Sequence, residues 1–409
     1  MNLVAVSIDS IPIGQPLAFP LMDKDGTLLA CKEFVIASRK DLAEIAERGG
    51  GLYINVTDSE ARHRAYIDHL YGMVRDEKSI GSIAETQITE ETASERESAQ
   101  DDRLDWLDLQ TIASALLRDT QAHTFQRRLL RLQRQLVRHI QNNPDGTLFA
   151  LIYLSVSDVR MYSGTHAMLV SVICMLTAKE VLNWPEEDQR TVGLAALTMN
   201  YGMTELQDRL ALQMEPPSQE QRAQIVQHSN HGVALLQKAG VTDPVWLDAI
   251  QLHHKSPPGP LAPREKCDRF ARLIQRADIF AARISPRATR LPMTPAAAMQ
   301  SCYFDENKGM DEAGGALIKA VGVYQPGAYV RLCTNEVAVV IQRGLNTTTP
   351  RVAVLLNREG MATVEPPIRD TSVREYRIVG SVPHREVKVQ LNLERLLRLT
   401  TLNKPVRPW

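Results

Sequence analysis

At 409 residues the chain has room for roughly two to four domains, and its apolar share of 44% is ordinary for a protein with sizeable cores. Its 47 Lys and Arg nearly balance 48 Asp and Glu, which argues against a general nucleic-acid or membrane-surface binder while leaving room for local basic patches. The five cysteines (Cys31, Cys174, Cys267, Cys302, Cys333) are scattered and form no C-x-x-C pair, so they indicate neither a zinc knuckle nor a disulfide framework and fit a reducing cytoplasm. No basic start followed by an apolar run marks a signal peptide, and no apolar stretch reaches spanning length.

Residues 1–57 read as a small β-rich module. Val4–Ile8, Leu17–Leu21, Phe34–Ile36 and Leu52–Asn55 are strand candidates, Asp23-Lys24-Asp25-Gly26 is a turn, and Ser38 with Asp41 caps a helix that Gly49-Gly50-Gly51 ends. Residues 58–146 combine helices with a linker. A helix at Ser59–Met73 precedes residues 76–102, which are rich in Glu, Ser and Thr, contain no aromatic residue, and are expected to form a mobile linker. A phosphorylated regulatory loop is the less economical reading of that stretch. Leu104–Arg118 is helical, and Phe125, Leu129, Leu132, Leu136 and Ile140 recur at helical spacing. The arginines of that last helix (127, 128, 131, 134, 138) suit either an anionic partner or a solvated face whose stems cover apolar surface, and we favour the second.

Residues 147–323 read as an all-α bundle: periodic segments at Leu148–Leu154, Val159–Val181, Pro185–Leu197, Glu220–Ala239, Pro244–His254, Arg269–Ile284 and Pro295–Met299, joined by short breaks. In residues 324–409 the β-branched runs Tyr329–Leu332, Val337–Ile341 and Val352–Leu356 predict a small antiparallel unit, closed by a helix at Leu391–Thr400. The expected fold class is therefore multidomain α+β, a central helical bundle flanked by β-rich units. There is no internal repeat, no Gly-rich phosphate loop and no serine or cysteine nucleophile motif.

The order and rough spacing of His166, Leu194–Met203, His228, His253-His254 and Asp278 resemble the HD-GYP family, bacterial phosphodiesterases of cyclic di-GMP. The small module at residues 1–57 resembles the one that precedes many such domains, and Gly322–Leu332 resembles a C-terminal extension common among them. The resemblance implies an HD-GYP-like bundle that holds two or three divalent ions through imidazoles and bridging carboxylates. Such ions activate water and stabilise charge on the phosphate. It also implies that His166, His228, His253, His254 and Asp278 are residual metal ligands.

The same comparison marks losses. Met199 and Asn200 stand where the family has its His-Asp pair, Met203 replaces a lysine, Lys255 replaces a glutamate, and Pro257-Pro258-Gly259-Pro260-Leu261 replaces the Gly-Tyr-Pro loop. Asn200 offers one neutral oxygen and cannot bridge two dications. Met199 offers a soft thioether poorly matched to manganese, magnesium or ferrous iron. Met203 removes a phosphate-holding cation. Lys255 is expected to add positive charge beside the histidines, and the loop loses an aromatic that would stack on a base. No catalytic residue is assigned.

The cofactor expected is none or a single divalent metal (Mn, Fe, Mg or Zn), held by His228, His253 and His254 if they converge. His63, His69, His123, His139, His231 and His384 match no ligand position and read as structural or exposed. Three functions follow. The first is a degenerate, catalytically inactive regulatory or scaffold protein with a protein partner and a link to cyclic di-GMP. The second is a residual metal-dependent phosphodiesterase producing pGpG. The third is a purely structural interaction protein in which Met199 and Met203 fill a cavity. A homodimer is compatible with each; no nucleic-acid or membrane partner is expected.

Overall fold

In the computed structural model the described residues are 105–119, 124–157, 159, 161–389 and 393–401, together with 3–5, 11, 13, 17, 21–23, 27–30, 34–48 and 51–55. The helix expected at Ser59–Met73, the linker at 76–102, and His63, His69 and His123 lie outside them. The chain divides into two compact units, 1–102 and 103–409. The fold is α+β, mainly helical, with small antiparallel sheets. No helix among the described residues is long and apolar enough to cross a membrane.

The first unit holds β1 (Leu3–Ala5), β2 (Leu21–Met22), β3 (Leu28–Ala30), α1 (Arg39–Arg48) and β4 (Tyr53–Asn55), with strand order β1-β4-β2-β3. Leu17, Leu21, Ile36, Leu42 and Leu52 form its core. The strand expected at Phe34–Ile36 is a correction. Val35 makes only a single bridge, and Phe34 and Val35 are exposed. The Asp-Gly turn decides this. Asp23 N donates to Thr27 O and Thr27 N donates to Asp23 Oδ1, so the hairpin closes β2 on the residues that immediately follow the turn.

The second unit begins with α2 (Trp106–Arg118), whose start is fixed by a capping box between Asp105 and Asp108. It continues through α3 (Phe125–Asn142), α4 (Pro144–Ser157), α5 (Tyr162–Glu180), α6 (Glu186–Thr198), a 3-10 turn (Tyr201–Met203), α7 (Thr204–Leu212), α8 (Gln219–Lys238), α9 (Pro244–Leu252), α10 (Lys266–Ile284), α11 (Pro295–Tyr303) and α12 (Glu312–Val321). Helix α5 is buried along nearly its whole length; its all-round apolar sequence makes it the axis on which the other helices pack. Helices α2 and α3 contribute to the same core as α5, α6 and α10. The exposed-face reading of the α3 arginines holds for Arg127, Arg134 and Arg138, while Arg128 pairs with Asp119.

The C-terminal sheet comprises β5 (Tyr329–Leu332), β6 (Val337–Gln342), β7 (Arg351–Leu356), β8 (Ile368–Asp370) and β9 (Ile378–Val382), ordered β8-β7-β6-β5-β9 and antiparallel throughout; α13 (Leu393–Leu399) follows. Strand β6 is buried on both faces. Val337, Val339 and Ile341 pack with Phe149 of α4, and Ala338 and Val340 with Val330, Val352 and Val354. Three short connections meet at the buried Arg343. Its Nε donates to Asp145 Oδ1 (2.6 Å), and its Nη1 donates to Glu180 Oε2 (2.7 Å) and to the Ala320 carbonyl. One guanidinium thus ties the start of α4, the end of α5 and the end of α12 to the β6–β7 connection. Replacing Arg343 by Met leaves two carboxylates short of a partner. We expect a loss of about 3 kcal/mol of stability, measured as a lower urea midpoint at unchanged slope; a midpoint equal to wild type would refute the tie.

Candidate metal centre

Four helices bring the histidines together. His166 lies one turn into α5, His228 in the middle of α8, and His253-His254 directly after α9; Asp278 faces them from α10. A Cβ at Gly202 would stand 2.2 Å from the His228 carbonyl oxygen and 2.5 Å from Gly232 N. Only glycine therefore lets the 3-10 turn pack flat on α8 at the level of His228.

His228, His253 and His254 converge. Their potential ligand atoms lie within 4.8 Å of one another, and the ring centroids are separated by 5.3 Å (His228–His253), 5.1 Å (His228–His254) and 3.9 Å (His253–His254). His228 Nδ1–H donates to Ile225 O and His253 Nδ1–H to Ile250 O at 2.6 Å. Each bond to a carbonyl fixes the tautomer and leaves the Nε2 lone pair available as a ligand; in His228 that atom accepts only a long hydrogen bond from Ser229 Oγ, at 3.4 Å. Burial lowers the pKa of His228, and lowers that of His253 to about 3, so both rings are neutral at pH 7, the form a metal requires. His253 Nε2 is buried and has no hydrogen-bond partner, as expected of an atom placed to hold something else.

The other two family positions pair with each other. His166 Nε2–H donates to Asp278 Oδ1 at 2.7 Å, Tyr162 stacks on the His166 ring, and Arg287 lies over Tyr162 and donates to its hydroxyl at 3.0 Å. Burial pushes the Asp278 carboxyl up, but the His166 hydrogen bond and the surrounding imidazoles outweigh it and hold the group at about 2. Asp278 is only 17% exposed and is an anion at neutral pH.

The substituted positions are not equivalent. Met199 is buried in the hydrophobic core. Asn200 is buried, and its Oδ1 has no hydrogen-bond partner. Met203 is half-buried on the 3-10 turn and lines a groove of about 390 Å³ with Arg118, Arg209 and His231. Lys255 is exposed next to the exposed His254, while the charges that act on the buried His228 and His253 come from the neighbouring imidazoles and Asp278; water screens a surface ammonium before it reaches a buried ring. Of the remaining histidines, His231 Nδ1 bonds the Gly202 carbonyl, His139 packs on Trp106, and His384 stacks on Tyr329.

Sequence reasoning missed the arginines that hold the loop after His254. Arg264 donates to Ser256 Oγ (3.0 Å), Pro257 O (2.7 Å) and Pro260 O (2.8 Å). Arg272, fully buried, donates to the Ser256 carbonyl (2.8 Å), to Gln275, and to Asp311 and Glu306. Arg276 joins the same carboxylates. The available signal was two arginines four residues apart among Phe270, Leu273, Ile274 and Ala277, where an exposed helix face is not expected.

The donor set therefore fits one divalent ion: three imidazoles, two with their outer nitrogens hydrogen-bonded. It lacks the bridging carboxylate of a two-ion site, because Asn200, at the position where the family resemblance puts that carboxylate, is a neutral amide. Residues 156–313 match the HD domain family. Cyclic di-GMP phosphodiesterase PA4108 of Pseudomonas aeruginosa is 25% identical over 245 residues, 58% of each chain, so the match spans less than two thirds of that relative's length. The solved structure of Bd1817, a HDG"Y"P protein from Bdellovibrio bacteriovorus, is 18% identical with a TM-score of 0.43, covering 77% of this chain and 98% of that one.

The lowered histidines set a pH dependence for chelator-treated protein. An imidazole in the unfolded chain titrates near ~6.5, whereas His253 folded does so at about 3. The unfolded state therefore binds the proton first. The contribution is fully present above the unfolded value and is lost as pH falls towards the folded one, at about 1 kcal/mol per pH unit; His228, lowered in the same sense, adds to it. Asp278, lowered to about 2, loses its contribution only below the ordinary carboxylate range. Urea midpoints should fall between about pH 7 and about pH 5, and less steeply in His253→Gln; a midpoint that rises on acidification contradicts this.

Proposed function

We propose that this chain, which belongs to the HD domain family through residues 156–313, is a regulatory or scaffold protein of cyclic di-GMP signalling that does not hydrolyse the nucleotide. Asn200 carries this reading. It is buried with an unpartnered amide oxygen, and it stands where the family resemblance puts the carboxylate that two-ion hydrolysis uses as a bridging anion. Asp278, whose charge acts on the histidines, is engaged through one oxygen by His166. An ion held by His228, His253 and His254 would supply Lewis acidity, and Asp278 would offset part of its charge. Met203 offers no cation to a phosphate oxygen. The link to cyclic di-GMP rests on the named activity of the Pseudomonas aeruginosa relative. A protein partner completes such a role, because a protein that senses without turning over must pass its state on by contact.

A second reading, a residual single-ion phosphodiesterase, is favoured by the convergence of the three imidazoles. One experiment separates the two. The full chain is incubated with cyclic di-GMP and manganese, ferrous iron or zinc, with chromatography for pGpG and calorimetry for binding. We expect binding without product. Product formation abolished by His253→Ala would establish the second reading and overturn the first.

A further inference from the structure

We infer that His228, His253 and His254 form a single-ion site of zinc type, which takes zinc, cobalt or nickel in preference to manganese or magnesium and leaves one coordination position open. The inference deepens the non-hydrolytic reading above and rests on it for the site's context, though it concerns which ion is held and how many.

Four observations carry it. The ligand atoms of the three rings already lie within 4.8 Å of one another. A tetrahedral ion with nitrogens at ~2.0–2.1 Å needs them about 3.3 Å apart, and the exposed His254 ring is the one of the three with room to turn towards the buried pair. Second, the Nδ1 atoms of His228 and His253 are committed to the Ile225 and Ile250 carbonyls. That presents Nε2 without a rotamer search, as in sites whose outer hydrogen bonds orient the ligand. Third, the set is all nitrogen and formally neutral. Manganese and magnesium favour carboxylate and water oxygens, whereas imidazole suits zinc and its neighbours, and three histidines with an open position are a zinc arrangement.

Fourth, the residue that stands where the family resemblance puts the bridging carboxylate is Asn200, whose buried, unpartnered Oδ1 contributes a dipole only, and Asp278 is bonded to His166 at 2.7 Å. Two dications about 4 Å apart without a shared anion repel strongly in a buried site. The loop arginines add to this, since Arg272 reaches the carbonyl of Ser256, two residues from His254, and holds the turn without metal.

The test uses the full chain, stripped with chelator, reloaded with zinc, cobalt and manganese in competition, desalted, and assayed by elemental analysis. We expect one zinc per chain, little retained manganese, and a cobalt visible spectrum of tetrahedral intensity. His254→Ala, at an exposed position that spares folding, should weaken zinc at least tenfold; His166→Ala should leave the stoichiometry at one. The double variant Met199→His, Asn200→Asp should raise manganese above one ion per chain, and failure to do so would overturn the assignment of the one-ion limit to that pair. Two ions in the wild type, preference for manganese, no retained ion, or zinc undiminished in His254→Ala would each overturn the site. One zinc together with pGpG formation would leave the site standing and sink the non-hydrolytic reading. Nucleotide binding without product in a chain that holds no ion would do the reverse.

Discussion

The site depends on a buried ionic lock that touches none of its ligands. Arg272 has no exposed surface, and its guanidinium is shared among Asp311, Glu306, Gln275 and the Ser256 carbonyl. A charge in that position is tolerated only when every donor is satisfied. The lock thereby fixes the relative positions of α10, the approach to α12 and the turn that carries His253 and His254. Arg264 completes the loop from the outside by bonding successive carbonyls and Ser256 Oγ, and Gly259, at φ +126, supplies the backbone conformation that no other residue adopts without strain. The loop is therefore closed on itself by hydrogen bonds and needs no aromatic side chain to order it.

That arrangement separates the geometry of the site from its chemistry. The histidines are aimed by helix register, by carbonyls three residues upstream, and by the close approach of Gly202 to Gly232. None of these features requires an ion, so the imidazoles converge whether or not one is bound. Asn200 differs from the aspartate that the family resemblance puts there in charge, at nearly constant shape. It alters what the pocket can hold far more than how the helices pack, because Coulomb terms between dications are large at low dielectric while the volume change is negligible.

Much of this was legible in the sequence, and the gaps have physical causes. The long helices announced themselves by their period; the structure adds the caps, with Asp105, Ser218 and Asp243 each accepting from backbone N–H groups at a helix start. Strands β5, β6 and β7 were visible as β-branched runs, whereas β8 and β9 were not, being short and, in β9, interrupted by Gly380 and Ser381. Helix α12 was hidden by Gly314-Gly315. Gly314 is required there because a Cβ would stand 2.0 Å from the Cys302 carbonyl oxygen, a packing constraint that no local propensity encodes. The five histidine and aspartate positions were readable only as a set. Their sorting into a three-imidazole cluster and a His166–Asp278 pair needed the third dimension. The reach of the Lys255 charge could not be read either, because the exposure of Lys255 and of its neighbour His254, against the burial of His253, is set by tertiary packing.

The sorting itself bears on how such a site loses one activity and keeps another. A pair that hydrogen-bonds internally, as His166 and Asp278 do, offers an incoming ion less than two free ligands would, since binding must first break the bond. In the cluster, His228 and His253 keep their backbone bonds on binding, and only the long Ser229 contact to His228 Nε2 is given up. With a neutral amide at position 200, a second ion beside the His166–Asp278 pair would lack the shared anion that the family resemblance puts there. The His228 cluster, by contrast, keeps every feature that a single ion requires. The result is an asymmetric arrangement, one part joined by its own hydrogen bond and the other convergent on a point that a single ion could occupy.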